Sequence, residues 1–237
     1  MIGRLSSDGT WFTFGYTHGA IAAQGVGFRL LASFPNVHEM YHSKAIFPLF
    51  SNRLLRPTRP EYRDYLSWLD IDDDDPQPLE ILGRSGGERA TDNMEIVPLP
   101  ERSPEGDYET RFFLRGLQRM ASPAIDRAKS LQAGEPLLLM HDFQNPHDNR
   151  ALALRTSEET TFMIGYCPRL LRDDVLTLID KGSTGPIITV ARVNLPPAPS
   201  QFRVLCKVQT PWPEGFVPCS GEQFQPIAAP DREPQLA

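Results

Sequence analysis

Cysteine is scarce in this 237-residue sequence: Cys167, Cys206 and Cys219 are odd in number, widely spaced and form no CxxC pair. That argues against a disulfide framework and against a structural zinc site. No apolar run reaches the roughly 18 residues that span a bilayer. The N-terminus lacks the basic-then-apolar order of a secretory signal, so the chain is read as cytoplasmic, without a membrane partner. Net positive charge is also missing, the formal balance being −6. There is no internal repeat and no nuclease motif of known spacing, and Gly86-Gly87 is too short to be a phosphate loop.

What the sequence has in quantity is proline, 23 residues gathered in three places, and proline clusters mark seams because the residue neither donates to a ladder nor continues a helix. Charge is distributed unevenly around those seams. Residues 1–110 carry 10 basic and 17 acidic side chains, residues 111–209 carry 13 and 9, and residues 210–237 carry 1 and 4. Phosphate binding follows the local field, and only the middle segment has the right sign for it. These shifts divide the chain into a unit at 1–100, a charged linker at 101–110, a unit at 111–209 and a Pro-rich tail at 210–237, disordered or wrapped on a partner.

In the first half, Trp11, Phe12, Phe14 and Tyr16 alternate as on a strand, and Gly25 and Gly27 turn the chain before a second run at Phe28, Leu30 and Leu31, giving a hairpin or small meander. Pro60 opens a helix whose Tyr62, Tyr65, Leu66 and Leu69 share one face, and Asp70 ends it. The acidic run Asp72–Asp75 is read as a solvated loop. Leu79–Arg84 forms a short helix or strand, and Met94, Ile96 and Pro98 a last strand-like segment. The overall class is α+β.

The second half holds short β-leaning runs at Phe112–Leu117, Leu137–Met140, Ala151–Leu154, Phe162–Tyr166, Ile187–Val193 and Phe202–Val208. Their spacing suits a small barrel or sandwich. Two helices interrupt them, one from Ser122-Pro123 towards Gly134 and one over Leu170–Asp180.

The segment RGLQ (Arg115–Gln118), the run LLLMHDFQNPHDNRALAL (Leu137–Leu154) and IGYCPRLL (Ile164–Leu171) together resemble a HIRAN domain across roughly residues 111–209. The resemblance implies a compact β-barrel-like domain with two helices that grips single-stranded DNA and its 3′ end. It assigns Asp148 to a terminal 3′-hydroxyl and His147 to a base-stacking position that is usually Tyr. Gln118, Arg119 and Met120 stand where end-capturing members carry an aromatic pair, so backbone gripping is expected over end capture. More weakly, the unit at 1–100 resembles, through Lys44–Ile71, the small N-terminal α+β subdomain of HipA-type toxin kinases, without their kinase body. That resemblance implies a HipB-like helix-turn-helix antitoxin as partner and no phosphotransfer.

The stretch His141–Arg150 concentrates chemistry on a strand-to-strand loop. His141, Asp142, His147 and Asp148 are candidate catalytic residues, with Asp142 and Asp148 as ligands for Mg²⁺ or Mn²⁺ and Arg150 set to stabilise a phosphate in flight. The same residues also read as a plain turn, begun by Asn145-Pro146 and capped by Asp148. Arg115, Arg119, Asn145, His147, Asp148, Arg150, Tyr166, Arg169 and Arg172 are the candidate DNA contacts. The expected function is a DNA-binding HIRAN protein acting as the toxin of a HipBA-like toxin–antitoxin pair, with metal-assisted nicking. Two alternatives stay open: a non-catalytic single-stranded-DNA adaptor or repair accessory, and a HipA-like regulatory subunit without kinase activity.

Overall fold

The computed structural model describes residues 1–182 and 184–228. The described residues divide into two compact units, one formed by 1–54 with 219–228 and the other by those between 55 and 218. In the first unit a three-stranded antiparallel sheet runs in the order β1 (Gly3–Ser7), β2 (Phe12–Tyr16), β3 (Met40–Ser43), with α1 (His18–Gln24) between β2 and β3 and the single turn α2 (Pro48–Ser51) after them. The alternation at 12–16 delivers the expected strand, and Phe14 and Tyr16 turn into an aromatic core with Phe34 and Phe50. The second expected strand at Phe28–Leu31 does not form. Instead Tyr16 Oη accepts from the Leu31 N–H and donates to the Phe34 carbonyl, both at 2.8 Å, so one buried hydroxyl satisfies the groups that a ladder would have used.

The tail contributes structure. His18 N–H donates to the Gln225 carbonyl at 3.0 Å, and Ile227 N–H to that of Tyr16 at 3.0 Å. Arg4 Nε adds a bond to the Phe224 carbonyl at 3.1 Å. Residues 219–228 therefore complete the first unit, which corrects the expectation of a disordered or partner-wrapping tail for that stretch; residues 229–237 lie outside the described residues.

The second unit opens with α3 (Tyr62–Leu69) and α4 (Pro78–Ser85), followed by a seven-stranded antiparallel sheet. Its strands are β4 (Glu101–Arg102), β5 (Asp107–Phe113), β6 (Pro136–Asp142), β7 (Ala151–Thr156), β8 (Met163–Tyr166), β9 (Ile187–Val193) and β10 (Val204–Pro211), ordered β4-β5-β10-β9-β6-β7-β8. The two expected helices are present as α5 (Ser122–Lys129) and α6 (Arg169–Lys181). The sheet is not a closed barrel. β4 and β8 are its edges, and the sheet curls far enough for an isolated bridge to join Arg115, just past β5, to Tyr166 of β8. One side of the curl holds the core, including Tyr108, Phe112, Leu114, Leu154, Ile164, Val175, Leu178 and Val208.

The segment expected as a linker at 101–110 is β4 and the start of β5. Its charges hid a period of two: Tyr108, Thr110 and Phe112 are buried, whereas Asp107, Glu109 and Arg111 alternate with them. The outward residues find partners on the neighbouring strand, Glu109 with Lys207 at 3.0 Å and Asp107 with Gln209 at 2.9 Å. The strand expected at Met94–Pro98 is absent; that stretch is irregular.

α3 and α4 belong with this sheet. Asp70, at the C-terminus of α3, has left-handed backbone (φ 57°), a conformation that Asp tolerates better than most residues. Its carboxylate pairs with Arg111 of β5 and with Arg192 of β9. Asn194 Nδ2 donates to the Trp68 carbonyl at 2.8 Å. Beneath the helices, Phe113 and Tyr65 pack on Phe202 with ring centroids 5.1 and 6.0 Å away. The stretch Lys44–Ile71, expected to be HipA-like, is thus divided between the two units, which part after Leu54.

Candidate nucleic-acid interface

Sheet register sets the site. Met140 of β6 faces Ala153 of β7, Ala153 faces Tyr166 of β8, and Tyr166 bridges to Arg115. Directly opposed residues share a face, so these four side chains form one row on the side away from the core. Gly165 makes the last step possible. Its φ is 152°, and a Cβ there would come within 2.7 Å of the Arg115 carbonyl oxygen, so only glycine permits this approach. With the backbones so close, Arg115 N–H donates to Tyr166 O at 3.0 Å and Tyr166 N–H to Arg115 O at 2.9 Å.

Asp142, at the end of β6, lies on the same face. Its Oδ2 accepts from Tyr166 Oη at 2.9 Å and from Asn145 Nδ2 at 3.2 Å. Partial burial and the neighbouring Asp142 carboxylate raise the Tyr166 phenol pKa, so the ring stays neutral and presents an uncharged aromatic surface. The loop then turns on Asn145, whose Oδ1 accepts from His147 N–H at 3.0 Å and Asp148 N–H at 3.2 Å.

Asp148 fastens the loop to α6. One carboxylate oxygen accepts from Arg150 N–H at 3.1 Å, and the other pairs with Arg172 and lies 3.7 Å from Arg169 Nε. Burial alone would raise the pKa of this carboxyl; the Arg150 N–H and the guanidinium groups of Arg172 and Arg169 outweigh it and hold the group below its ordinary range. Arg172 has a side chain only 9% exposed and also bonds Asp173 at 3.0 Å, while Arg150 reaches the same Asp173 at 3.2 Å.

The expected site residues therefore fall into distinct groups. Asp142, Asn145 and Tyr166 form one hydrogen-bonded set; Asp148, Arg150, Arg169 and Arg172 form a second through shared carboxylates. His141 stands apart. As the neighbour of Asp142 on a strand it points to the opposite face, where its ring lies 4.3 Å from that of Phe143 and its Nε2 is buried without a hydrogen-bond partner among the described residues. His147 is exposed at the loop tip. Arg115 is already engaged: Nη1 donates to Glu88 Oε1 at 2.6 Å and Nη2 to Glu95 Oε1. Arg169, with a side chain 77% exposed and only a 3.7 Å pairing to Asp148, and Arg119, exposed and without a carboxylate partner among the described residues, are the least engaged of the expected cations.

The donor set does not fit a divalent cation. Asp142 and Asp148 are committed to separate partners, and two guanidinium groups next to Asp148 oppose further positive charge. Mg²⁺ demands near-octahedral oxygen ligation, and no group of three or more His, Cys, Asp or Glu among the described residues is placed to hold a metal. Of the expected catalytic residues, His141 points to the face opposite Asp142, and Asp142 and Asp148 engage separate partners. Sequence reasoning missed Glu88, Glu95 and Asp173. The first two carry no signal, being 27 and 20 residues from the arginine they meet; Asp173 adjoins Arg172 and was open to inspection.

Residues 107–212 match the family model of the HIRAN domain. Among solved structures, the chain is similar to a protein from Lactobacillus plantarum at 17% identity, covering 44% of this chain and 99% of that one, with a TM-score of 0.32. It is also similar to the HIRAN domain of human HLTF at 15% identity, covering 46% of this chain and 81% of that one, with a TM-score of 0.32. None of the curated proteins compared matches the chain. The HIRAN resemblance is thus supported at 107–212, no comparison supports the HipA-like expectation, and no helix among the described residues is long and apolar enough to cross a membrane.

Proposed function

We propose that residues 107–212 bind DNA as a single strand, gripping backbone phosphates and stacking a base, and do not cut it. One observation carries the reading: the outward, neutral ring of Tyr166 has two exposed arginines close by along the chain, Arg119 without a carboxylate partner among the described residues and Arg169 held only loosely by Asp148, 3.7 Å away. Arg169 follows it by three residues, and Arg119 follows by three the Gly116 against which the ring packs. An aromatic face beside exposed guanidinium groups is the pairing that holds a single strand without regard to sequence. His147 at the loop tip adds a second, smaller π-face. The match of this segment to the HIRAN family agrees with such a role.

Fluorescence anisotropy with a labelled single-stranded oligonucleotide tests it. Binding should weaken with salt, and Arg169→Ala and Arg119→Ala should each lower the log–log salt slope by about 0.7, the increment for one phosphate contact on a single strand. Binding that ignores both substitutions refutes the reading. Supercoiled plasmid should survive incubation with Mg²⁺ as it does with EDTA. The toxin role and the HipB-like partner rest on the weaker HipA resemblance alone, and metal-assisted nicking is disfavoured by the donor set described above, so neither enters the proposal.

A further inference from the structure

Arg115 closes the row that begins at Met140, and its guanidinium would be the next cation along the face from Tyr166. It is taken by two carboxylates from a single loop. Residues 86–96 leave α4 and return to their starting point, the Ile96 N–H donating to the Gly86 carbonyl at 2.8 Å. Gly86 initiates the loop in left-handed conformation (φ 79°), with room there for the Arg115 guanidinium, whose Nη2 would lie 3.5 Å from any Cβ. From opposite ends of this loop, Glu88 takes Nη1 and Glu95 takes Nη2. Two oxygens from two residues thus meet the paired N–H groups that a phosphate would engage through two of its own oxygens.

We infer that Arg115 is a phosphate seat and that Glu88 and Glu95 occupy it as an internal substitute, which an incoming strand displaces. The inference rests on the DNA-binding reading of the same face. The three side chains are about a third exposed or more, and ion pairs of that kind hold weakly enough to yield to a polyanion. Displacement leaves two carboxylates beside the strand, so the loop lowers affinity both by occupying the seat and by repelling the ligand. It favours ligands carrying several contiguous phosphates over short ones.

The test compares wild type, the double variant Glu88→Gln with Glu95→Gln, the same pair combined with Arg115→Gln, and a charge-matched control, Glu101→Gln with Glu105→Gln. The readout is anisotropy of a labelled single-stranded oligonucleotide across a salt series. The Glu88/Glu95 variant should bind about three- to tenfold tighter at low salt than the control, with a slope steeper by about 0.7, and the added Arg115→Gln should erase the gain. Equal binding by the double variant and the control overturns the inference while leaving the DNA reading intact. If neither wild type nor variant binds at low salt, the DNA reading fails and takes this one with it. Hydrogen exchange on the wild-type chain checks the result without relying on a substituted fold: saturating oligonucleotide should speed exchange at Ile96 while slowing it at 164–169, and unchanged protection at Ile96 contradicts displacement.

Discussion

Asp70 and Arg192 are 122 residues apart in sequence and meet at 3.0 Å, with Arg111 on the other carboxylate oxygen. One side chain at the end of α3 therefore ties down two strands of the sheet. Replacing Asp70 with Asn keeps a residue that tolerates the left-handed backbone and removes the charge that both arginines face. The expected cost is about 1–2 kcal/mol, or roughly 2–8 °C in thermal midpoint. Calorimetry reads this directly, and an unchanged midpoint would mean that α3 is held by packing alone.

Asp148 links loop position to pH. Its folded-state pKa lies below the ordinary 3.8. A depressed carboxyl pKa contributes stability that is complete above the unfolded-chain value and is given up as pH falls through the lower, folded value. Wild type should therefore lose its advantage over Asp148→Asn as pH drops from about 5 towards 2, and the two thermal-midpoint profiles should converge there. Parallel profiles would show that the Arg172 and Arg169 contacts do not shift the carboxyl. At neutral pH, Asp148→Ala should also weaken oligonucleotide binding by releasing the loop, whereas Asp73→Ala, in an exposed pair with Arg63, should not.

Tyr166 separates stacking from positioning. Removing the ring with Tyr166→Ala should cost about 1–3 kcal/mol of binding, the usual worth of a base on an aromatic face. Tyr166→Phe keeps the face and loses the hydroxyl that bonds Asp142, so most of the affinity should remain. Equal losses in the two variants, measured by anisotropy, would assign Tyr166 a structural role.

The C-terminal stretch offers a test of the fold. Cutting the chain after Pro218 removes the acceptors and donors that residues 224–227 give to Arg4, Tyr16 and His18. Hydrogen exchange should then accelerate through β2 and α1 while β5, β9 and β10 of the other unit keep their protection. Protection that persists at Tyr16–Gln24 would mean that the first unit stands without its tail.

Local pattern was legible where it coincided with burial. Alternation at 12–16, the helical face at Tyr62–Leu69 and the proline-led start of α5 each predict the element that forms. What could not be read depended on distant partners. β5 begins in a stretch whose charges look like linker, because Lys207 and Gln209, about 100 residues on, are what satisfy it. The candidate site shows the same limit. Composition marks His141–Arg150 as rich in polar and charged groups, yet strand parity sends His141 and Asp142 to opposite faces. The positive balance of 111–209 likewise says nothing of pairing, and Arg115, Arg150 and Arg172 each meet carboxylates within the unit.

Chemical-shift mapping with a single-stranded oligonucleotide at low salt bears most directly on the central claim. Shifts should concentrate at Tyr166, Arg169, Arg119 and the 145–148 turn and fade as salt is raised. Shifts confined to other surfaces, or none at any salt, would contradict it.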